Sequence, residues 1–365
     1  MLEPVYEKLL EALRMRGGAL PAIKCPELYA LLGELFTLEE AEFARQMPMN
    51  PMPAADLAAE MGRDLGEVEP LLEGMANKGL VVSRERGGVN HYSLLQMLPG
   101  IFEYQFMKGE VNDRAKRLAR LFEDYFTVMT QAAEKGRDVI NFPFARVIAV
   151  EAEIPAGVEI QPYDRVYHYI ENSQYIAAST CYCRHHGELL GRPCDKPKEV
   201  CMSFGPGAKF NVERGFARLI SKEEARQILD LSEREGLVHC SSNTGKYVDF
   251  ICNCCICHCG ILQSIKNAAM PSMGATTGFI MVVDQESCTG CGDCVERCQM
   301  EALTLDGDVV MRDASRCIGC GLCVSACPTE ALKMEPRPDR PLLPWDHQSL
   351  NAALMASLKM DSPSS

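Results

Sequence analysis

Eight of the 19 cysteines fall into two runs of one pattern. Residues 288–305 read CTGCGDCVERCQMEALTL and residues 317–334 read CIGCGLCVSACPTEALKM. At an offset of 29, ten of the 18 positions are identical, so the segment is an internal repeat. Each copy has the form C-x2-C-x2-C-x3-C. Thiolates at the first three positions can wrap one face of an iron–sulfur cubane, and the intervening glycines allow the tight turns this needs. The fourth cysteine lies too far along the chain for the same cube and ligates the partner. The expected sets are therefore Cys288, Cys291, Cys294 and Cys327 for one [4Fe–4S] cluster, and Cys317, Cys320, Cys323 and Cys298 for the second. Zinc knuckles would use paired C-x2-C motifs rather than a four-cysteine run.

These runs resemble the bacterial two-cluster ferredoxins over about residues 278–335. The resemblance implies an opening strand at FIMVVD and a middle hairpin at LTLDGDVVM. One position departs: Gln299 stands where a proline usually follows the fourth cysteine, whereas Pro328 is present in the second copy. Proline is not a ligand, so the departure bears on the local turn and the potential, not on cluster binding.

A second group precedes the repeat. Residues 178–205 read ASTCYCRHHGELLGRPCDKPKEVCMSFG and residues 250–262 read FICNCCICHCGIL. They supply Cys181, Cys183, Cys194 and Cys201, then Cys252, Cys254, Cys255, Cys257 and Cys259. Such a density exceeds what an ordinary core accumulates. ISKEEARQILDLSEREGL between them reads as an amphipathic helix, with Ser221 and Glu224 as a capping box and Gly236 as its stop. In an extended stretch Cys255, Cys257 and Cys259 would share one face and Cys252 and Cys254 the other, though a loop could present another subset. The region resembles ferredoxin-like proteins of anaerobic bacteria and archaea that carry C-x-C-R, P-C-D-x-P and I-C-N-C-C-x-C-x-C blocks ahead of a two-cluster domain, a match running from about residue 140 to 335. That resemblance implies an iron–sulfur electron carrier. The nine cysteines are expected to hold one further metal centre, an iron–sulfur cluster with ligands from both groups; a structural zinc or a thiol/disulfide pair are the alternatives. His185, His186 and His258 are read as surface or hydrogen-bonding residues rather than ligands, Arg184 and Lys198 as solvated charges more than donors to sulfur, and Cys25 and Cys240 as packing residues.

Upstream, residues 26–40, 51–62 and 64–80 read as helices, and residues 81–95 as a hairpin around Gly87-Gly88. That order resembles a winged helix, whose third helix would enter the DNA major groove. The charge opposes this use. Residues 1–100 hold 15 acidic and nine basic residues, and the third helix carries Asp64, Glu67, Glu69 and Glu73 against Lys78. A winged helix reused for protein contact is the expectation. Residues 111–135 read as a long amphipathic helix joining the parts.

The fold class expected is thus α+β and multidomain. It comprises a winged-helix-like domain (1–100), a linking helix (101–140), an α/β cysteine-rich metal or redox domain (141–276), a 2[4Fe–4S] ferredoxin domain (277–337) and a proline-rich tail with a short helix (338–365). The tail stripe of Leu350, Leu354 and Leu358 is expected to dock on its own protein, and the final SPSS to be disordered. Of the 365 residues, 37 are Lys or Arg and 50 Asp or Glu, a net charge of −13 that disfavours a nucleic-acid partner. No apolar run suits membrane insertion and no secretory signal is visible, so the cysteines read as metal or redox groups in a reducing cytoplasm. Neither G-x-G-x-x-G nor a P-loop is apparent. The function expected is single-electron relay between partner oxidoreductases, the protein itself not being an enzyme. The rivals are a redox-sensing winged-helix regulator and an oxidoreductase subunit acting at the cysteine-rich middle.

Overall fold

The computed structural model describes residues 4–18, 22–134, 143, 145–154, 165–246, 248–268, 275, 277–338 and 342–360. The SPSS end and positions 339–341 of the proline-rich connector lie outside the described residues. The architecture is mixed α/β.

The first part opens with α1 (Pro4–Met15), α2 (Pro26–Leu35) and α3 (Leu38–Ala44). The stretch 26–40, expected as one helix, is therefore two. Phe36 is extended, and Thr37 caps the next helix: its hydroxyl accepts from the Glu40 N–H while the Glu40 carboxylate accepts from the Thr37 N–H. This reciprocal cap satisfies donors at the new helix start, so the chain turns at little cost. Next come β1 (Met52–Pro53), α4 (Ala54–Met61), α5 (Leu65–Asn77), β2 (Val81–Arg86) and β3 (Val89–Leu94). The hairpin turns on Gly87 and Gly88, both at positive φ, and β1 joins β3 in a three-stranded antiparallel sheet. After α6 (Phe102–Phe106), α7 (Asp113–Glu134) buries Leu118 and Phe122 with Leu28, Leu32 and Leu72. Phe210 and Phe216, about ninety positions further on, join the same core.

The middle part consists of β4 (Ala145–Ile148), α8 (Val166–Asn172), β5 (Ile176–Ser179), α9 (Tyr182–Leu189), β6 (Cys201–Phe204), α10 (Gly205–Glu213), β7 (Arg218–Leu219), α11 (Lys222–Arg234), β8 (Val238–Ser242), β9 (Phe250–Cys254) and α12 (Gly260–Asn267). Its strands pair antiparallel in one six-stranded sheet of order β4-β8-β9-β6-β5-β7. The helix expected between the cysteine groups is α11. Ser221 accepts from the Glu224 N–H as expected, but the Glu224 carboxylate pairs with Arg218, so the cap is one-sided. Gly236 ends the turn at φ 73°. The middle part also covers α5 and the hairpin: Arg214, capping α10, donates to Glu73 at 2.9 Å, and Lys209 donates to Glu85 at 2.8 Å.

Residues 279–336 form β10 (Phe279–Val283), α13 (Asp293–Arg297), β11 (Leu303–Asp306), β12 (Val309–Arg312) and β13 (Leu332–Pro336). β10 pairs with β13 and β11 with β12, so the expected opening strand and middle hairpin are both present. The tail helix α14 (His347–Met360) buries Leu350 and Leu354 against the rest of the chain; the side chain of Leu358 lies outside the described residues. Among the described residues, no helix is long and apolar enough to cross a membrane.

Candidate metal centres

Cys288, Cys291, Cys294 and Cys327 line one small cavity, closed by Leu305, Val310 and Leu332. Cys298, Cys317, Cys320 and Cys323 line another with Met281, Met300, Ile318 and Leu322. Each expected set is brought together, including its crossed fourth member. Two glycines make the turns possible. A Cβ on Gly290 (φ 66°) would lie 2.7 Å from the Asp308 carbonyl oxygen, and one on Gly319 (φ 62°) would lie 2.0 Å from that of Phe279. No other residue fits there. The apolar walls push the Cys320 thiol up to about 12 and raise Cys294 as well, so without metal these two stay protonated.

Gln299, the residue standing in the usual proline's place, joins this part to the middle cysteines. Its side-chain oxygen accepts from the Ile256 N–H at 2.6 Å, and its amide nitrogen donates to the Gly236 and Cys254 carbonyls. Cys298, Cys317 and Cys320 pack on one hydrophobic cluster together with Cys181, Cys201, Cys252, Cys254 and Cys259.

The nine middle cysteines fall into two neighbouring groups that meet at Cys255. Cys181, Cys183, Cys201, Cys252, Cys254 and Cys259 line one pocket, with Cys255 at its edge. The elements explain the convergence. Cys252 and Cys254 are alternate residues of β9 and share a face, Cys201 starts β6, Cys181 and Cys183 sit at the start of α9, and Cys259 caps α12. Without metal the six thiols hydrogen-bond in a ring of alternating character. Cys181 and Cys259 are held well below the usual thiol value, and Cys252 down to about 5, each accepting from two neighbouring thiols. Cys183, Cys254 and Cys201, the donors between them, are raised well above it. Thiolates are the metal-binding form, so neighbouring sulfurs that can share protons in this way suit a site that must release them to a metal. The Tyr182 hydroxyl lies 3.4 Å from Cys252 Sγ.

Cys240 was expected merely to pack. It lies opposite Cys252 in the β8–β9 pair, and its thiol hydrogen-bonds with that of Cys254, at the rim of the ring. Its isolation in sequence hid this, since only strand pairing brings it near. Cys25 caps α2, its sulfur 3.4 Å from the Leu28 N–H.

Cys194 and Cys257 lie outside that pocket, and Cys255 borders both groups. Their sulfurs and a ring nitrogen of His258 all lie within 4.8 Å of one another. His258 therefore belongs with the ligating atoms, against the sequence expectation. His185 and His186 do not: both are buried, and their Nε2 atoms bond the Glu110 and Ala119 carbonyls at 2.9 and 3.0 Å. Arg184 is 1% exposed rather than solvated. It donates to the Asn253 carbonyl at 3.2 Å. Despite the cost of burial, the Cys181, Cys201 and Cys255 sulfurs hold it charged more firmly than usual. Lys198 is the surface charge expected, paired with Glu188.

A larger feature was invisible in the sequence. A cavity of about 830 Å³ reaches Cys201 and Cys252, with no residue of the four-cysteine repeat in its lining. Tyr182, Glu103, Tyr104, Phe204 and Phe250 line it, and the tail helix closes it with His347, Leu350 and Leu354. The exposed part of Glu103 faces this cavity, and burial pushes its carboxyl up to about 8. These residues come from five separate elements, so no local pattern announces them.

A family model described as a 4Fe-4S dicluster domain matches residues 281–334. Comparison with curated proteins and with solved structures gives no match. The match covers β10 to β13 and the two four-cysteine cavities, and with them this chain is an iron–sulfur, ferredoxin-like protein with an electron-transfer role.

Proposed function

We propose that the protein relays single electrons between partner oxidoreductases through two [4Fe–4S] clusters, held by Cys288, Cys291, Cys294 and Cys327 and by Cys317, Cys320, Cys323 and Cys298, and that a third iron–sulfur cluster sits among the six ring cysteines. When bound, such clusters accept and pass one electron at a time. The observation that carries the reading is continuity. Cysteines of both four-cysteine cavities pack on one apolar cluster, and those of the second share another with the ring. The protein's own residues keep this path dry and fixed. Gly290 and Gly319 allow the backbone close approach, Gln299 clamps Cys254 and Ile256 beside Cys298, and Arg184 supplies a buried positive charge between the ring and Cys255. Cys291 is exposed, so the first cluster is the natural port for a partner. The acidic surface suits steering onto a basic docking patch. All 19 cysteines are free thiols, which fits a reducing cytoplasm. The test is EPR of the dithionite-reduced, anaerobically purified chain. Two interacting cluster signals in the repeat support the relay; a single isolated signal overturns it.

A second reading, an oxidoreductase acting at the middle part, is favoured by the cavity. Its volume lies within the roughly 300–1,000 Å³ of small-molecule sites. It ends on the Tyr182 hydroxyl and Cys252, with Glu103 holding a proton near neutral pH. The check is oxidation of reduced viologen by the full chain across a panel of small acceptors. Acceptor-dependent turnover, lowered at least tenfold by Tyr182→Phe, supports an enzyme; no turnover returns the chain to a pure carrier.

A further inference from the structure

The Cys194, Cys255, Cys257 and His258 group has its own geometry. The Cys194–Cys255, Cys194–Cys257 and Cys255–Cys257 sulfurs are 3.9, 3.3 and 2.9 Å apart. Four ligands around one zinc, with Zn–S near 2.3 Å, have sulfurs about 3.8 Å apart along a tetrahedron's edge. A cubane places its thiolates on different irons and spreads them further. The spacing is that of a single ion.

The histidine is prepared for the task. His258 Nε2 lies 2.8 Å from the Arg192 carbonyl oxygen, so Nε2 carries the proton and donates it there. Nδ1 is then the unprotonated atom with the free lone pair, and it is buried with no hydrogen-bond partner. A ligating imidazole shows this same arrangement: one nitrogen on the metal, the other donating to a backbone carbonyl. Room for the ring is built in. A Cβ on Gly187 would lie 2.1 Å from His258 Cδ2 and 2.4 Å from Nε2.

We propose that Cys194, Cys255, Cys257 and His258 Nδ1 bind one zinc ion, separate from every iron–sulfur centre. Three thiolates and one imidazole in a tetrahedral set select zinc over harder cations. The ion ties the loop after α9 to a turn 61 residues later. That turn, 255–258, is bracketed by Cys254 and Cys259, which both point into the six-thiol ring. The zinc thus fixes the segment that presents a third of the ring. It carries no electrons, because zinc has one accessible oxidation state.

The experiment is metal analysis of the full chain, purified anaerobically, with cobalt substitution as a second readout. The wild type is expected to hold about one zinc per chain, and Co²⁺ exchanged into it to show tetrahedral visible bands with thiolate charge transfer. His258→Ala and Gly187→Ala should each lower zinc at least fivefold while leaving both cluster signals of the repeat. Cys252→Ser in the ring should leave zinc at its full level, so loss of the third-cluster reading would not move this result. Four outcomes would overturn the site: no zinc together with no tetrahedral cobalt spectrum; zinc unchanged in both His258→Ala and Gly187→Ala; loss of iron instead of zinc in Cys194→Ser; or a disulfide among Cys194, Cys255 and Cys257 in the anaerobic protein.

Discussion

The side-chain oxygen of Gln299 accepts a 2.6 Å hydrogen bond from the backbone N–H of Ile256. The first follows Cys298 in the repeat; the second sits between Cys255 and Cys257. A proline in place of Gln299 could make none of these bonds, so the position that departs from the ferredoxin pattern is the one that clamps the repeat to the middle part. Gln299→Ala leaves the Ile256 N–H in a protein contact without its acceptor. An unmade hydrogen bond of this kind costs about 1–3 kcal/mol. The expected result is a melting transition lowered by several degrees with iron in the repeat unchanged. Differential scanning calorimetry with iron analysis checks it; an unaltered transition would show that the clamp is not structural.

The crossed ligand sets make a paired prediction. Cys327→Ser should resemble Cys291→Ser, and Cys298→Ser should resemble Cys320→Ser, each losing up to about four iron atoms. The fingerprint is which EPR signal disappears from the reduced protein. Were Cys327→Ser to match Cys320→Ser instead, each run would hold its own cluster.

The protein should not bind duplex DNA. Glu73 of α5 is engaged by Arg214, and the neighbouring hairpin by Lys209, while Asp64, Glu67 and Glu69 leave the exposed remainder of α5 negative. Arg63 is likewise paired with Glu39. Fluorescence anisotropy of the full chain with random duplex at about 100 mM salt should show no micromolar affinity. Tight, salt-sensitive binding would revive a regulator.

Docking of the tail helix should depend on pH. His347 donates to Asp249 at 2.9 Å, and this bond raises the imidazole above its usual value. Burial would push Asp249 up, yet the same bond holds it below the usual carboxylate value. The sign follows from both. The His347 contribution is full below its unfolded value of 6.5 and is lost as pH rises through the higher folded value. The Asp249 contribution is full above 3.8 and is lost as pH falls through its lower folded value. The pair is partly exposed and screened, so the docking equilibrium should shift only about two- to fivefold at each end. Trp345, the only tryptophan, sits where the Lys246 N–H bonds its carbonyl, and its fluorescence reports the change. His347→Ala should flatten the alkaline arm; an unchanged profile would place the pH response elsewhere.

Local pattern made much of this readable. The four-cysteine runs, the strand at 279–283, the hairpin at 303–312 and α7 all follow from spacing and periodicity carried within a few turns of chain. The middle cysteines were not readable in the same way. Their grouping depends on strand pairing, which sets Cys252 against Cys240, and on the turn that carries Cys257 away from Cys254 and Cys259 and leaves Cys255 between the two groups. The alternation argument had put Cys259 on the same face as Cys255 and Cys257, and the turn after β9 breaks that alternation. His258 hid among cysteines because its role depends on Gly187 and the Arg192 carbonyl, both distant in sequence. The cavity beside Tyr182 is built from long-range packing alone.

In the proposed relay, iron–sulfur clusters run from the repeat into the ring of six cysteines. The most direct measurement is iron and acid-labile sulfide per chain in anaerobically reconstituted protein, wild type against a Cys252→Ser, Cys259→Ser double variant. The wild type is expected to hold roughly 12 iron atoms, about eight in the repeat and about four in the ring, falling to about eight in the variant. Eight iron atoms in both, with the ring thiols freely titratable in the wild type, would contradict it.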